Sequence, residues 1–251
     1  MLVADLMGRV SAMDEMGVAE MSEGVRRVGR VGLVGPIGPF LLAAIAISTF
    51  AERPMTPKEA IKALKMRAPM AADEYDALEK AYRAKAFSIA GVQSTDLVAR
   101  VQEEIGKALK GKVTFEDFKA KLPKMFERFG VTPLSPSHVE TVFRNAMQNS
   151  YNAGRWQQQT DPDVKDLFLW RYDAVDDDRT RPSHRAMDGV TLPPDDPLWQ
   201  RWYPPNGHNC RCRIRTVPVD EATKTDKRTI TRAAPDAGWS GNPGAWLEAA
   251  A

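Results

Sequence analysis

The sequence predicts an α+β fold in which an N-terminal helical region is followed by a small antiparallel-sheet module that a metal ion could staple. Apolar residues recur at helical spacing from Pro54 to about Arg155, and short strand-like runs separated by proline-rich connectors follow Gln159. Helices followed by strands are typical of an α+β arrangement. Both cysteines lie in the second part, at Cys210 and Cys212, and cysteine is a preferred zinc ligand.

Length and charge limit the organisation of the chain. Its 251 residues suit one large domain or two smaller ones, with ample material for a buried core. The formal net charge of +2 creates no global field that would favour nucleic acid as a partner. We expect three segments: an N-terminal arm with an apolar stretch (residues 1–53), a helical domain (54–158) and an α+β module (159–251).

The N-terminal arm contains an uncharged stretch, Val31 to Ala51. Its first half carries three glycines and two prolines, so only Leu41 to Phe50 is continuously apolar. This is short of the roughly twenty residues that a bilayer span requires. We expect a core or subunit-contact helix here, with a membrane-active segment as the alternative. A signal peptide is not expected, because the basic cluster of Arg26, Arg27 and Arg30 lies about twenty-five residues from the start instead of at it.

Consecutive helices are predicted in residues 54–158. Pro57 opens the first, and Ala71–Ala90 carries apolar and aromatic residues at near-helical spacing before a stop at Gly91. A third helix begins near Asp96 and ends at Gly111, with its apolar residues on one side. Because such stripes are typical of helices packed on a core, we interpret them as core faces rather than binding faces.

Capping motifs indicate where two further helices begin. Thr114 with Asp117 is a capping-box variant, and Ser137 with Glu140 has the standard form. His138 is interpreted as a first-turn surface histidine without a role. The helix that follows Ser137 carries a stripe of apolar residues, namely Val139, Val142, Phe143, Ala146 and Met147.

Three runs are predicted as strands: LFLWRYDAV at 167–175, GVTL at 189–192 and CRCRIRTVPV at 210–219. Side chains alternate between the two faces of a strand. Cys210, Cys212 and Ile214 should therefore share one face, and the intervening arginines the other. We expect the thiols to face the protein and the guanidinium groups to face outward, since cysteine prefers burial and arginine does not.

The cysteine face predicts a metal site. Alternate strand residues are about 6.6 Å apart at their Cα atoms, so two thiolates can converge on one ion. His208 would lie about 13 Å from Cys212 in an extended chain, so a bend is required, and the PPNG run before His208 has the residues to make one. His184, from a distant loop, would complete a structural zinc site with Cys210, Cys212 and His208.

Alternatives to this ligand set stay open. Asp188 or a water could replace His208. Two buried thiols with histidines hydrogen-bonded in loops would give the same residue pattern without any metal. A disulfide between Cys210 and Cys212 is not expected, because bridge geometry requires opposing side chains rather than i, i+2 neighbours.

A group of arginines forms a second candidate binding set. They lie on one face of the third strand and in the loop before it, and they are Arg179, Arg181, Arg211, Arg213 and Arg215. Such a set could bind DNA phosphates. Several aspartates between Asp173 and Asp196 nearly cancel its charge, so internal ion pairs or contacts with an acidic protein surface are an equal interpretation.

An enzymatic function has little support in the sequence. A cysteine–histidine pair or a zinc-bound water could be hydrolytic. The sequence contains no nucleophile elbow and no phosphate-binding loop. We therefore predict no catalytic residue and no enzymatic activity.

Three runs in fixed order carry a family resemblance: DDRTRPSHRAMDG, then PPNGHNCRCRIRTV, then PDAGWSGNPG. Together they resemble the C-terminal half of the phage Mu F-like minor head proteins, a head-morphogenesis family of tailed bacteriophages. The upstream part is similar more loosely, so the resemblance covers roughly residues 54–246, and residues 159–251 would be the Mu F-like module. In that family the CxC pair and the upstream histidine recur, whereas the position of His208 often holds an aromatic residue.

The resemblance implies a non-enzymatic minor capsid protein that acts in head morphogenesis near the portal and assists assembly and genome packaging or delivery. Its implied partners are the portal protein and other capsid proteins, with packaged DNA as a further partner and no membrane. It would lie inside the capsid near the portal vertex, and in the host cytoplasm during assembly. The alternatives are a DNA-binding virion protein that contacts the genome and, more remotely, a virion-associated zinc-dependent enzyme.

Overall fold

The structure, a computed structural model, describes residues 57–230, 233–239 and 241–245. The predicted N-terminal arm, including Leu41–Phe50, lies outside the described residues. Within those residues, no helix combines the length and apolar character that a bilayer crossing requires.

Helices and two small sheets alternate along the chain. In order, the elements are α1 (Pro57–Lys65), β1 (Ala68–Pro69), α2 (Ala72–Ala77), α3 (Lys80–Arg83), β2 (Ala86–Phe87), α4 (Thr95–Leu109), α5 (Phe115–Arg128), α6 (Pro136–Gln159), β3 (Phe168–Asp173), α7 (Pro182–Arg185), β4 (Thr191–Leu192), α8 (Leu198–Trp202) and β5 (Arg213–Pro218). The combination of helices with a three-stranded antiparallel sheet confirms the predicted mixed architecture. The division at residue 158 stays a prediction.

A first hydrophobic cluster, here called the helical core, lies among α1, α4, α5 and α6. Ser94 begins α4 by accepting a hydrogen bond from the Leu97 N–H at 3.2 Å. The predicted Thr114–Asp117 capping box is present at the start of α5. The predicted α4 stripe is confirmed, because all of its members are buried: Leu97, Val98, Val101, Ile105 and Leu109.

The prediction of one helix over Ala71–Ala90 is wrong. Helix α2 ends at Ala77, and its C-cap Leu78 is extended with φ −65° and ψ 139°. The Arg83 guanidinium group donates to the carbonyl oxygens of Leu78 and Asp76, which stabilises this break. Further along, β2 pairs in parallel with β1 and buries Phe87. Tertiary pairing therefore outweighs the helical periodicity of a short segment, whose isolated helix would be marginal.

The N-cap of helix α6 lies two residues before the predicted cap. It is Ser135, whose hydroxyl oxygen accepts from the His138 N–H at 3.3 Å, and not Ser137. The reason is Pro136, which has no N–H to satisfy and whose fixed φ suits the first helical position. Of the predicted stripe, Val139 and Ala146 are buried, and the other members pack against the helical core.

A second cluster, here called the aromatic core, covers one face of the sheet ordered β4-β3-β5. Trp156 from α6 meets Trp170 and Tyr203 edge-on, with ring centroids 5.1 Å and 5.0 Å away. Trp199 and Trp202 are 0% and 1% exposed and belong to the same cluster over this small sheet. Trp239 is half-buried.

Strand β5 begins at Arg213 rather than at Cys210. Before it, Asn209 adopts a left-handed φ of 56°, and the Cys212 carbonyl oxygen accepts from Gln148 of α6 at 2.7 Å instead of from a strand. Burial nevertheless alternates as predicted. Cys210, Cys212 and Ile214 are buried, whereas Arg213 and Arg215 are exposed. The predicted faces are confirmed although the ladder is shorter.

Both outer edges of the three-stranded sheet are covered. Beside β5, Gln148 and Gln159 of α6 donate to the carbonyl oxygens of Cys212 and Ile214. Beside β4, the Thr225 N–H donates to the Thr191 carbonyl oxygen at 2.8 Å. Covered edges do not act as templates for further strands.

Candidate metal centre

His184, Cys210 and Cys212 form one buried cluster. Their potential ligand atoms all lie within 4.8 Å of one another. The two sulfur atoms are 3.7 Å and 3.6 Å from the same nitrogen, Nδ1 of His184. The structure thus brings together three of the four residues predicted as ligands, while the binding of an ion stays a prediction.

The imidazole of His184 is positioned by a short helix. Pro182 occupies the first turn of α7, where a missing N–H costs nothing. Arg185 ties the helix to the loop before it by donating to the Asp177 carbonyl oxygen at 2.6 Å. The imidazole packs edge-on against Trp202, with centroids 6.1 Å apart. The aromatic core therefore sets the orientation of the ring.

Neighbouring polar groups affect the pKa of each thiol. Cys212, His184 and the backbone N–H groups of Asn206 and Cys212 lower the pKa of Cys210. The Tyr172 hydroxyl group and the Val175 N–H lower the pKa of Cys212, against the larger raising effects of Cys210 and burial. The Asn206 side-chain amide in turn donates to the Tyr172 oxygen at 3.0 Å, which orients that hydroxyl group. Donors of this kind stabilise a thiolate over a thiol.

The two thiols titrate as a pair. A hydrogen bond from Cys212 lowers the pKa of Cys210, whereas the bond to Cys210, together with burial, raises the pKa of Cys212. Burial raises the pKa of Tyr172 far above its ordinary value, so its hydroxyl group remains a neutral donor.

The carboxylate of Asp236 lies near Nε2 of the His184 imidazole. Oδ1 of Asp236 is 3.9 Å from Nε2 of His184, and this buried nitrogen has no hydrogen-bond partner among the described residues. Asp236 is held by Arg181 at 2.9 Å and by its own N–H, which donates to the Asn206 carbonyl oxygen at 3.0 Å. A Cβ atom at Gly207 would lie 2.3 Å from Oδ2 of Asp236, so only glycine leaves room for this carboxylate.

His208 lies outside the cluster. Its side chain is exposed, its Nδ1 is 2.8 Å from the amide nitrogen of Asn145, and its ring packs edge-on against Trp239. The left-handed turn at Asn209, whose N–H donates to Asn145, directs His208 away from Cys210. The predicted bend is present, but it separates His208 from the thiols. The predicted substitute, Asp188, accepts from the Ala174 N–H instead.

Most of the predicted arginine set is engaged in internal ion pairs. Arg211 makes a two-bond pair with Asp177, both distances being 2.6 Å, and this pairing holds the pKa of Asp177 far below its usual range. Arg213 pairs with Asp173 at 2.6 Å. Arg179 lies 3.5 Å from Asp177, and Arg181 pairs with Asp236. Within the described part of the chain, Arg215 is exposed and has no ion-pair partner.

A cavity of ≈ 10 Å³ adjoins the cluster. Besides the three clustered side chains, its lining residues are Arg179, Thr180, Arg181, Asn209 and Arg211. A space of this size holds about one water molecule. It is too small for an organic substrate.

Sequence reasoning missed two residues at this centre, Asp236 and Tyr172. Asp236 belongs to the run PDAGWSGNPG, which was interpreted only as part of the family resemblance. An acidic residue inside that run is the available signal. Tyr172 lies in the predicted strand 167–175, and its alternation with Trp170 gives no indication that its hydroxyl group lies near the cysteines.

Comparison with known protein families matches residues 99–215 to the family described as Phage Mu protein F like protein. The match begins within α4, upstream of residue 159, and includes His184, Cys210 and Cys212.

Two curated relatives extend this result. Capsid assembly protein F of Escherichia phage Mu is 28% identical over 242 residues, which cover 76% of this chain and 54% of that protein. The Mu-like prophage FluMu F protein of Haemophilus influenzae is 32% identical over 155 residues, or 57% of this chain and 37% of that protein. The chain thus spans about half the length, or less, of the curated relatives it matches. No solved structure matches the chain.

Proposed function

Because residues 99–215 match the phage Mu F-like family, we propose that this chain belongs to that family and is a structural protein of bacteriophage head assembly. The observation that supports this role is the extent of the similarity. The matched residues include most of α4, all of α5 and α6, and the first half of β5. They therefore cover a large part of both hydrophobic cores and the whole cysteine cluster, which belong to the folded body and not to a peripheral motif.

The arrangement at the cluster fits a structural role better than a catalytic one. The adjoining cavity of ≈ 10 Å³ has no room for a substrate. The surrounding charges are paired with one another, as in Arg211 with Asp177 and Arg213 with Asp173. These contacts tie loops together, so we assign no catalytic residue.

The finer proposal concerns position and partners. We infer a minor capsid protein that lies inside the shell near the portal vertex, contacts the portal protein and other capsid proteins, and assists genome packaging or delivery. Before assembly it would be in the host cytoplasm. Its support is the naming of the phage Mu relative as a capsid assembly protein, joined to the match with the family.

Quantitative mass spectrometry of purified phage heads tests this proposal. The chain should be recovered with heads in amounts close to those of the portal protein and far below those of the major capsid protein. A phage with a stop codon in this gene should yield defective heads, and suppression of the stop codon should restore infectivity. Absence from heads, or infectivity without the chain, would overturn the proposal.

DNA binding is the second candidate, and one observation favours it. Arg213, with 56% of its side chain exposed, and the exposed Arg215 lie on the same outer face of β5. Against it, Arg213 is already paired with Asp173. Retention of duplex DNA should be compared between the wild type and Arg213→Glu, Arg215→Glu over a salt series. Salt-dependent retention that the variant loses would support genome contact, and equal weak retention would leave the protein-contact role.

A further inference from the structure

We propose that His184, Cys210 and Cys212 bind one zinc ion, with a water molecule as the fourth ligand. This inference is independent of the assembly role, since it concerns how the module is held together. Two thiolates and one imidazole are donors that favour zinc. Cysteines in a protein folded in a reducing cytosol also stay available as ligands.

Interatomic distances fit a single tetrahedral ion. Zinc–sulfur bonds of about 2.3 Å and zinc–nitrogen bonds of about 2.0 Å place sulfur and nitrogen about 3.5 Å apart in a tetrahedron. The observed separations from His184 Nδ1 are 3.7 Å to Cys210 and 3.6 Å to Cys212. One ring nitrogen has one lone pair and cannot accept well from two thiols. A cation between the three atoms satisfies all of them.

Asp236 is the residue that could accept the Nε2 proton of a metal-bound His184. Nδ1 of His184 faces the sulfur atoms, so the proton of a metal-bound imidazole resides on Nε2, which faces Asp236 at 3.9 Å. Metal-bound histidines commonly donate this proton to a carboxylate, which fixes the ring and increases its basicity. Gly207 and Arg181 hold the carboxylate in place. Asp236 is therefore a positioning residue and not a ligand.

The fourth position faces the small cavity. Zinc in such sites takes four ligands, and His208 is directed to Asn145 and Trp239. The ≈ 10 Å³ of space beside the sulfur atoms fits about one water molecule. The ion would link α7 to the segment before β5, which are 26 to 28 residues apart in sequence.

Elemental analysis of the full-length chain, purified from zinc-supplemented medium, is the primary test. We expect about one zinc per chain in the wild type and in His208→Gln, and loss of zinc in Cys210→Ser, Cys212→Ser. His208→Gln is the matched control, because it removes the other nearby histidine. Loss of zinc from His208→Gln would show that the ligand set is wrong. Zinc-free wild type that takes up none on refolding with zinc would overturn the site.

A second measurement keeps the test decisive if the cysteine variant does not fold. Cobalt titrated into zinc-stripped wild-type protein should give intense tetrahedral bands and sulfur-to-cobalt charge-transfer absorption, which requires thiolate ligands. Asp236→Asn should keep these bands but weaken zinc affinity roughly 10- to 100-fold in competition with a chelating dye. An absorption spectrum of octahedral cobalt without sulfur bands would contradict the proposal.

Discussion

The helical core and the aromatic core are held together in different ways. In the helical core, stripes of apolar residues on α4, α5 and α6 meet and exclude water, and the helix caps are local. The aromatic core depends on polar contacts over long sequence separations, such as Gln148 to Cys212, 64 residues apart. This difference teaches that the sheet region depends on cross-links between distant segments, whereas the helical region depends mainly on packed faces, supported by contacts such as those of Gln102 with the Leu64 and Arg67 carbonyl oxygens.

Removal of the proposed zinc ion should have the largest effect. Stripping zinc with a chelator, or Cys210→Ser with Cys212→Ser, should destabilise the sheet region by several kcal/mol, because metal binding contributes directly to folding free energy. Near-ultraviolet circular dichroism, which reports on the tryptophans, should fall sharply, while the far-ultraviolet helix signal persists. Equal loss of both signals would contradict the separate behaviour of the two cores.

A substitution that creates a cavity in the helical core should destabilise the helices and leave zinc binding unchanged. Phe126 is 0% exposed, so Phe126→Ala should lower the free energy of unfolding by about 3 to 5 kcal/mol. Zinc content per folded chain should stay the same. Denaturant unfolding followed by far-ultraviolet circular dichroism measures the change, and Phe129→Ala, at a site 40% exposed, is the control with little expected effect.

Gly207→Ala should show whether the Asp236 carboxylate contributes to zinc affinity without being a ligand. The added Cβ would lie 2.3 Å from Oδ2 and 2.8 Å from Cγ of Asp236, so the carboxylate must move. We expect a loss of about 1 to 3 kcal/mol in stability, which is typical of overpacking, together with weaker zinc affinity. Gly106→Ala, at which the nearest atom is 3.9 Å away, serves as the control. Unchanged affinity in Gly207→Ala would show that Asp236 does not position His184.

Gln148→Ala tests how α6 supports the segment before β5. The change leaves the Cys212 carbonyl oxygen without its 2.7 Å hydrogen bond, and an unsatisfied buried acceptor costs about 1 to 3 kcal/mol. Hydrogen exchange should rise in residues 208–218 and stay unchanged in α4. Arg144→Ala, which removes an exposed pair with Glu140 on the same helix, should change stability very little.

Acid should weaken the loop that carries Asp177. Its pKa is lowered in the folded state by the hydrogen bond from Arg211, so the pair stabilises the protein above the unfolded pKa of about 4 and less as pH falls below it. The difference in melting temperature between wild type and Asp177→Asn should therefore shrink on acidification. A constant difference from neutral to strongly acidic pH would contradict this assignment. The effect should be small, since the pair is partly exposed.

How far the sequence predicts this structure differs between the two cores. The α4 stripe and the Thr114–Asp117 cap were predicted because both depend on neighbours a few residues away. The break at Leu78 was not, because it depends on pairing between β1 and β2. The N-cap of α6 is Ser135 and not Ser137. This is a local effect of Pro136, which the Ser137–Glu140 capping-box pattern does not take into account.

The candidate site shows the same division. Cys210, Cys212 and His184 could be selected by residue type, since few other residues suit a soft ion. The position of His208 could not be predicted from the sequence, because it depends on Asn145, 63 residues away. Asp236 was missed for a similar reason: its position behind His184 depends on the return of the C-terminal segment to Asn206.

X-ray absorption at the zinc edge, on the full-length wild-type protein, tests the central claim most directly. We predict two sulfur atoms at about 2.3 Å and two nitrogen or oxygen atoms at about 2.0 to 2.1 Å from the ion. This first shell would establish the ion as the cross-link that the sheet region needs. A shell of oxygen and nitrogen alone, or a protein that retains no zinc, would contradict the account.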